Sequence, residues 1–479
     1  LLNAIKPYYI YLFSFLFIAL NSYLIVKEFY YLAILPFALA LVFMTFFHLD
    51  KLMWFIVFAT PLSLNLEELE LGGIGMYLPT EPLMFGVMIL FFLKLIYDKG
   101  FDNRITKHPI TLAIFIYLGW MFVTVLTSEM VVISIKFIVS RLWFIVCFYF
   151  IGTQLFLKLS NYRTFFWCYL IPLSGVAVYA IIRLANYSFN EKAAHWVMEP
   201  FYKDHTSYGA ILALFLPIVF IFIDNTEKFY FKIISYLVLA ILVVGTILSY
   251  TRAAWISLVA ALVLYFIYKY KVKFKYLLYT ASFVIILLVL NWNSLMLSLE
   301  RNDQDSSAKL TEHVQSISNV SSDASNKERL NKWNSAFKMF QERPFFGWGP
   351  GTYVFQYAPF QSSKDKTIIS SNVGNIGNAH SEYIGPLAES GLFGTLSVLL
   401  LFGMVFYKGS NLYHELPKGK IKTVVLCTLL GLFTYIVHGF LNNYLDTDKL
   451  SVPFWGFIAL IVAIDVYHKD RILLESNAK

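Results

Sequence analysis

The chain has 479 residues, of which 58% are hydrophobic, 18% aromatic and only 14% charged, with a formal net charge of +8. That balance excludes an ordinary soluble domain, and continuous apolar runs near 20 residues exclude a membrane barrel, whose strands alternate over about ten. The cysteines Cys147, Cys168 and Cys427 fall inside apolar runs with no paired spacing, which excludes a disulfide framework and a cysteine zinc site. The expected fold is an all-α polytopic membrane protein.

In chain order the candidate spans are Pro7–Val26, Phe29–Phe47, Leu52–Asn65, Pro79–Tyr97, Pro109–Leu126, Val132–Phe156, Thr164–Arg183 and His205–Ile223. Phe231–Ser249, Ala253–Tyr268, Tyr276–Trp292, Tyr383–Tyr407, Ile421–Leu441 and Leu450–Tyr467 complete the set. That is about twelve to fourteen transmembrane helices, depending on which short runs are re-entrant. The run Tyr8–Val26 lacks a small-residue cleavage site and reads as a retained helix. Three regions follow: a bundle over 1–292, a polar loop over 293–381, and C-terminal helices over 382–479.

Alternate short loops carry the Lys and Arg, among them Lys99, Arg104, Lys107, Lys158, Arg163, Lys228, Lys232, Lys269 and Lys418. The positive-inside rule then places both termini in the cytoplasm and the loop 293–381 outside, in the periplasm of a bacterium. The net positive charge is thus a membrane-topology signal, and no nucleic-acid partner is expected.

Within the loop, 301–325 is rich in Ser, Asn and Asp without periodicity and is expected to be mobile. Ser325 and Glu328 fit a capping box that opens an amphipathic helix over 326–341. Leu330, Trp333, Phe337 and Phe340 form its apolar stripe, with Arg329, Lys332 and Lys338 alongside, as in a helix lying on a membrane or over a cavity. Pro344 ends it, and Gly347-Trp348-Gly349-Pro350-Gly351 forms a tight turn. Asn378-Ala379-His380-Ser381-Glu382 then leads into the next helix, with Gly391 as a candidate break.

Arg252 lies in Ser249-Tyr250-Thr251-Arg252-Ala253, at a short outer turn where the positive-inside rule disfavours a cation. Its planar fork at a helix N-terminus suits a phosphate, or else a lipid headgroup. Arg141 is deep in its span and needs a partner, either a substrate anion or a structural carboxylate. His205 opens a helix at the outer face as a cap or a site residue. His380 is the side chain best suited to proton transfer near neutrality, against a capping role. Asp303/Asp305 and Asp446/Asp448 have the spacing of a divalent-cation pair, the second pair being a minor alternative to a metal-free site. No cofactor motif is present.

Ser249 through Trp255, Arg329 through Gly349 and Ala379 through Gly394, in this order and with a long loop between, resemble the O-antigen ligase and O-antigen polymerase superfamily of bacterial membrane glycosyltransferases. The resemblance implies a GT-C-like fold in the inner membrane. It also implies metal-independent, inverting transfer of a glycan from undecaprenyl diphosphate to a hydroxyl on the periplasmic side. The acceptor would be lipid A–core in a ligase, a lipid-linked repeat unit in a polymerase, or a protein Ser or Thr in an oligosaccharyltransferase. Carried over by position, Arg252 and Arg329 would bind the diphosphate and His380 would act at the acceptor hydroxyl. Arg141 would assist with the diphosphate, with His205, Glu382 and Trp333 as further substrate-site candidates. The family often has Asn where this chain has Ser381. A transporter or flippase of anionic or lipid-linked substrates is the competing class.

Overall fold

The computed structural model describes residues 7–66, 76–225, 228–272, 324–361 and 377–477. The expected span Tyr276–Trp292, the Asp303/Asp305 pair and most of the polar stretch 301–325 lie outside them. The chain divides into two compact units, Leu1–Ile56 and Val57–Lys479. The first unit holds α1 (Pro7–Val26) and α2 (Tyr31–Phe47), with large apolar side chains such as Tyr11, Phe13, Phe15 and Ile18 on the surface. Helices apolar on every face are at home among lipid chains.

The expected span over Leu52–Asn65 is not one. α3 (Leu49–Ala59) has 11 residues, which at the helical rise cover about 16 Å against a bilayer core of about 30 Å. Thr60-Pro61 turns the chain, and Leu64–Asn65 pairs antiparallel with Tyr77–Leu78. The physical reason is polarity: Ser63 is buried against Asp448, donating a 2.6 Å hydrogen bond to it.

Ten helices among the described residues are long and apolar enough to cross a bilayer. They are α4 (Thr80–Tyr97), α5 (Pro109–Leu126), α6 (Val131–Leu155), α7 (Asn161–Asn186), α8 (His205–Asp224), α9 (Phe229–Leu248) and α10 (Arg252–Lys269), followed after a non-spanning helix α11 (Ala324–Glu342) by α12 (Ile384–Glu415), α13 (Lys420–His438) and α14 (Asp448–Ser476). Each coincides with an expected span to within a few residues at its start, and α12 and α14 run well past the expected ends at Tyr407 and Tyr467. α8 and α14 form the centre, with 78% and 83% of their spans buried. Small residues allow the close crossings: a Cβ on Gly431 would sit 2.7 Å from the Leu214 carbonyl, and one on Gly209 would sit 2.6 Å from Thr251 Oγ1.

The connecting segments gather at two ends. At one end Tyr467 donates to Asp102 at 2.9 Å, His108 meets Asp465 at 3.2 Å, Lys469 pairs with Glu415, and Thr423 donates to Asp224. The Lys/Arg-bearing loops collect there. At the other end Glu129 N–H donates to the Trp348 carbonyl, Tyr250 hydroxyl to Phe189, Thr251 hydroxyl to His205, and Glu382 N–H to Gly439. The candidate site lies at this second end.

α12 is broken where the sequence suggested. Gly391 has φ +69°, and a Cβ there would fall on the Phe345 and Pro344 carbonyl oxygens. The break frees helix carbonyls that the Gly-Trp-Gly turn uses: Trp348 N–H donates to Ala388 at 3.1 Å and Gly349 N–H to Glu389 at 2.8 Å, while Trp120 Nε1–H donates to Ser390 at 2.8 Å. Leu392 N–H returns the bond to Pro344. Gly347 and Gly349, both with positive φ, let the turn lie directly on α12 and on Ser128.

One expectation about α11 needs correction. The helix already includes Ala324 and Ser325, so it begins ahead of the expected cap. Its buried face is Glu328, Asn331, Lys332, Ser335, Ala336 and Met339, while Leu330 and Phe337 point outward. The outward Leu330 and Phe337 accord with the expected apolar stripe, of which Trp333 and Phe340 are half-buried.

Candidate functional site

Arg252 is the first residue of α10, reached from α9 through the three residues Ser249, Tyr250 and Thr251. Tyr250 has φ +48°, and Trp255 Nε1–H donates back to Thr246 at 3.0 Å. Thr251 Oγ1–H donates to the His205 carbonyl at 2.8 Å, tying the start of α10 to the start of α8. Arg252 thus stands at a fixed helix N-terminus beside His205, whose ring stacks on His195 at 4.1 Å. Arg252 and Arg329 both lie within electrostatic reach of the His205 imidazole.

His380 lies in the segment just before α12, with its backbone in the left-handed region at φ +48°. Its N–H donates to Asn378 Oδ1 at 3.1 Å, and Trp333 Nε1–H holds the preceding Ala379 carbonyl at 3.1 Å. Strained backbone held by its surroundings is a common feature of reactive positions. Ser381 Oγ accepts from Tyr383 N–H and Ile384 N–H, both at 3.3 Å, so it caps the entry to α12.

Lys332 is the residue that sequence reasoning undervalued. It is buried, and its ammonium meets His380 Nε2 at 3.2 Å, with Glu328 at 3.9 Å. Gly377, at φ +79°, passes directly over this pair: a Cβ would stand 2.5 Å from Lys332 Nζ. Burial, Lys332 and Arg329 together lower the His380 pKa to about 3, with Asp204 opposing. The imidazole is therefore uncharged at neutral pH. Burial also lowers the Lys332 pKa, against Glu328 and with Arg329. Spacing alone carried a signal for Lys332, which sits one turn after Arg329 on α11.

Asp204 is the second residue not foreseen. It accepts hydrogen bonds from Thr206 Oγ1 and Ser207 N–H at 2.6 and 2.7 Å. Burial works to raise its pKa, and those bonds with the His205 charge bring the net value below the ordinary one. Arg329 and Asp204 both act on Tyr444, His438 and His380. Arg329 thus acts on the rings of both His205 and His380.

Other candidates lie elsewhere. Arg141 is buried and donates to the Leu445 carbonyl at 2.5 Å and to Asp446, with its guanidinium over the Phe137 ring. Its electrostatic neighbours are Tyr117, Asp446, Glu382 and Tyr435. Glu382 Oε1 accepts from Tyr435 hydroxyl at 2.5 Å and from the backbone N–H groups of Tyr444 and Leu445, both at 3.0 Å, fixing the 439–447 turn. Burial raises its pKa, with Arg141 opposing. Asp446 and Asp448 do not converge. Asp446 is taken by Arg141 and Asn443, and Asp448 by Ser63 and Thr80. Among the described residues no group of three or more His, Cys, Asp or Glu could hold a metal ion.

Residues 237–399 match the family model described as O-antigen ligase. They form an O-antigen ligase domain. Arg252, Arg329, Lys332, Trp333, His380 and the Gly391 break all fall inside the matched residues, whereas Arg141, His205 and Asp446 fall outside. The domain implies membrane glycan transfer of the O-antigen ligase or polymerase type, and hence a transferase acting on lipid-linked glycans. No curated protein matches the chain.

Proposed function

We propose that the protein moves a glycan from undecaprenyl diphosphate to an acceptor hydroxyl on the periplasmic side of a bacterial inner membrane, with lipid A–core as the acceptor. The observation that carries this reading is Arg329 within electrostatic range of both the Arg252–His205 corner and the uncharged His380. Breaking the anomeric C–O bond leaves its electron pair on the diphosphate. Fixed guanidinium groups at a helix N-terminus receive that charge without a metal. The acceptor oxygen attacks the opposite face of the anomeric carbon, inverting it, and its proton passes to neutral His380. Arg141 is neutralised by Asp446, so the diphosphate is assigned to Arg252 and Arg329.

The test is transfer by the purified protein in detergent, with lipid-linked glycan, lipid A–core and EDTA. Transfer is expected to survive chelation. It is expected to fall about 10²–10³-fold in Arg252→Ala, the loss of one charge-stabilising group, and about 10²–10⁴-fold in His380→Ala, the loss of a general base. Transfer that needs a divalent metal, or that Arg252→Ala leaves intact, overturns the reading.

A further inference from the structure

His380 stands between two regions of opposite character. On one side Lys332 meets its ring at 3.2 Å and Arg329 acts on it. On the other, its neighbours Asn378 and Ser381 line a cavity of about 330 Å³ between α5, α6, α12 and the 439–447 turn. Its charged wall is Glu382, Glu389, Asp446 and Arg141, three carboxyl groups to one guanidinium, and that guanidinium is paired with Asp446. Among the described lining residues that leaves no unpaired guanidinium or ammonium group for a diphosphate.

A second observation says what it takes instead. Asn443 lines the cavity, and its Oδ1 is buried without a hydrogen-bond partner among the described residues, while its Nδ2 donates to Asp446 at 3.3 Å. A buried acceptor calls for a donor. A sugar hydroxyl supplies one, whereas an ionised phosphate offers acceptors alone. Trp120, Phe137 and Tyr117 provide the flat apolar wall that completes a pocket with a few placed polar groups.

We propose that this cavity is the subsite for the accepting sugar, a neutral polyhydroxylated residue whose attacking hydroxyl meets His380 at the cavity mouth. The proposal rests on the transferase reading above and names the acceptor side of that same site. In the step, the hydroxyl oxygen bonds to the anomeric carbon and its proton goes to His380. The C–O bond to diphosphate breaks, with its electron pair leaving on the diphosphate. The lining sets specificity: its one guanidinium is paired with Asp446, so a sugar phosphorylated at the accepting residue finds no counter-ion there and is the poorer acceptor, whatever phosphates the acceptor carries elsewhere.

The experiment compares purified wild type, Asn443→Leu, and Ser140→Phe, which fills the cavity from α6. Acceptor KM is measured with a neutral oligosaccharide and with the same oligosaccharide phosphorylated on its terminal sugar, and undecaprenyl diphosphate affinity is measured by displacement. Both variants are expected to raise the neutral-acceptor KM about tenfold or more, the scale of a hydrogen bond lost from a buried group. Undecaprenyl diphosphate affinity should not change, and the phosphorylated acceptor should be the poorer one in wild type. A KM unmoved in both variants, or equal use of the two acceptors, overturns the subsite while leaving the transferase standing. Saturation-transfer NMR with the neutral oligosaccharide separates the other case. Binding that Ser140→Phe abolishes, in a protein that transfers nothing, keeps the subsite and removes the transferase.

Discussion

His380 faces Lys332 and Arg329, with Asp204 opposing them, and this balance makes its basicity depend on the donor. At a pKa of about 3 it is neutral but a weak base. A diphosphate bound to Arg252 and Arg329 cancels the cations that hold the value down, so the imidazole gains proton affinity once the donor is in place. The acidic limb of kcat/KM reports the free enzyme and that of kcat the complex. We expect the kcat limb at the higher pH, and identical limbs would contradict donor-dependent basicity. Lys332→Met removes one cation and is expected to move the kcat/KM limb upward, while Arg329→Met also weakens donor binding. The sign for stability follows from the same shift. An unfolded histidine takes up its proton near pH 6.5, which the folded protein resists down to about 3. The contribution is therefore present above about 6.5 and lost as pH falls through that window. Thermal unfolding scans should show a smaller acid-side decline in Lys332→Met.

At the scale of elements, the break in α12 and the turn that sits on it act as one unit. Gly391→Ala places a methyl group on two carbonyl oxygens in a backbone conformation that alanine resists. A loss of about 2–4 kcal/mol is expected, the range of strain plus a clash in a packed site. Scanning calorimetry in detergent checks it, and an unchanged midpoint would show that the turn docks without the break. The Arg141–Asp446 pair predicts a second loss. Removing one partner of a fully buried pair costs about 3–5 kcal/mol. Asp446 is 36% exposed, so Arg141→Ala is expected to cost on the order of 2 kcal/mol. Arg141→Ala should also leave undecaprenyl diphosphate affinity unchanged, because the guanidinium is spent on the 439–447 turn. The amino-acid sequence made much of this legible. The Gly391 break followed from a glycine inside an apolar run, and Arg141 was recognised as needing a partner. The burial of Asn331 and Lys332 on α11 was not legible, because polar residues beside an apolar stripe read as solvated. Lys332 was missed for the same reason: a lysine on an amphipathic helix reads as solvated until its neighbours are known. The false span at Leu52–Asn65 arose because Ser63 and Asn65 find partners more than 10 residues away in sequence, which no local window detects.

For the whole molecule, we propose an orientation from the short loops that carry Lys and Arg. The end bearing Arg104, Lys107, Lys158, Lys228, Lys418 and Lys420 is expected in the cytoplasm, and the His380 end outside. In intact cells a membrane-impermeant maleimide should label Lys192→Cys, an exposed position near the candidate site, and leave Lys418→Cys unlabelled until the membrane is opened. The reverse pattern would put the proposed chemistry on the wrong side of the membrane.

The hydrogen bonds from Trp348 and Gly349 to Ala388 and Glu389 also bear on biogenesis. The turn is synthesised about forty residues ahead of the helix that templates it, so it emerges from the ribosome with its amide groups still seeking acceptors. Only after α12 enters the bilayer and bends at Gly391 does the docking surface exist. A nascent chain halted before residue 384 would therefore carry the Gly-Trp-Gly turn without the helix carbonyls on which it docks.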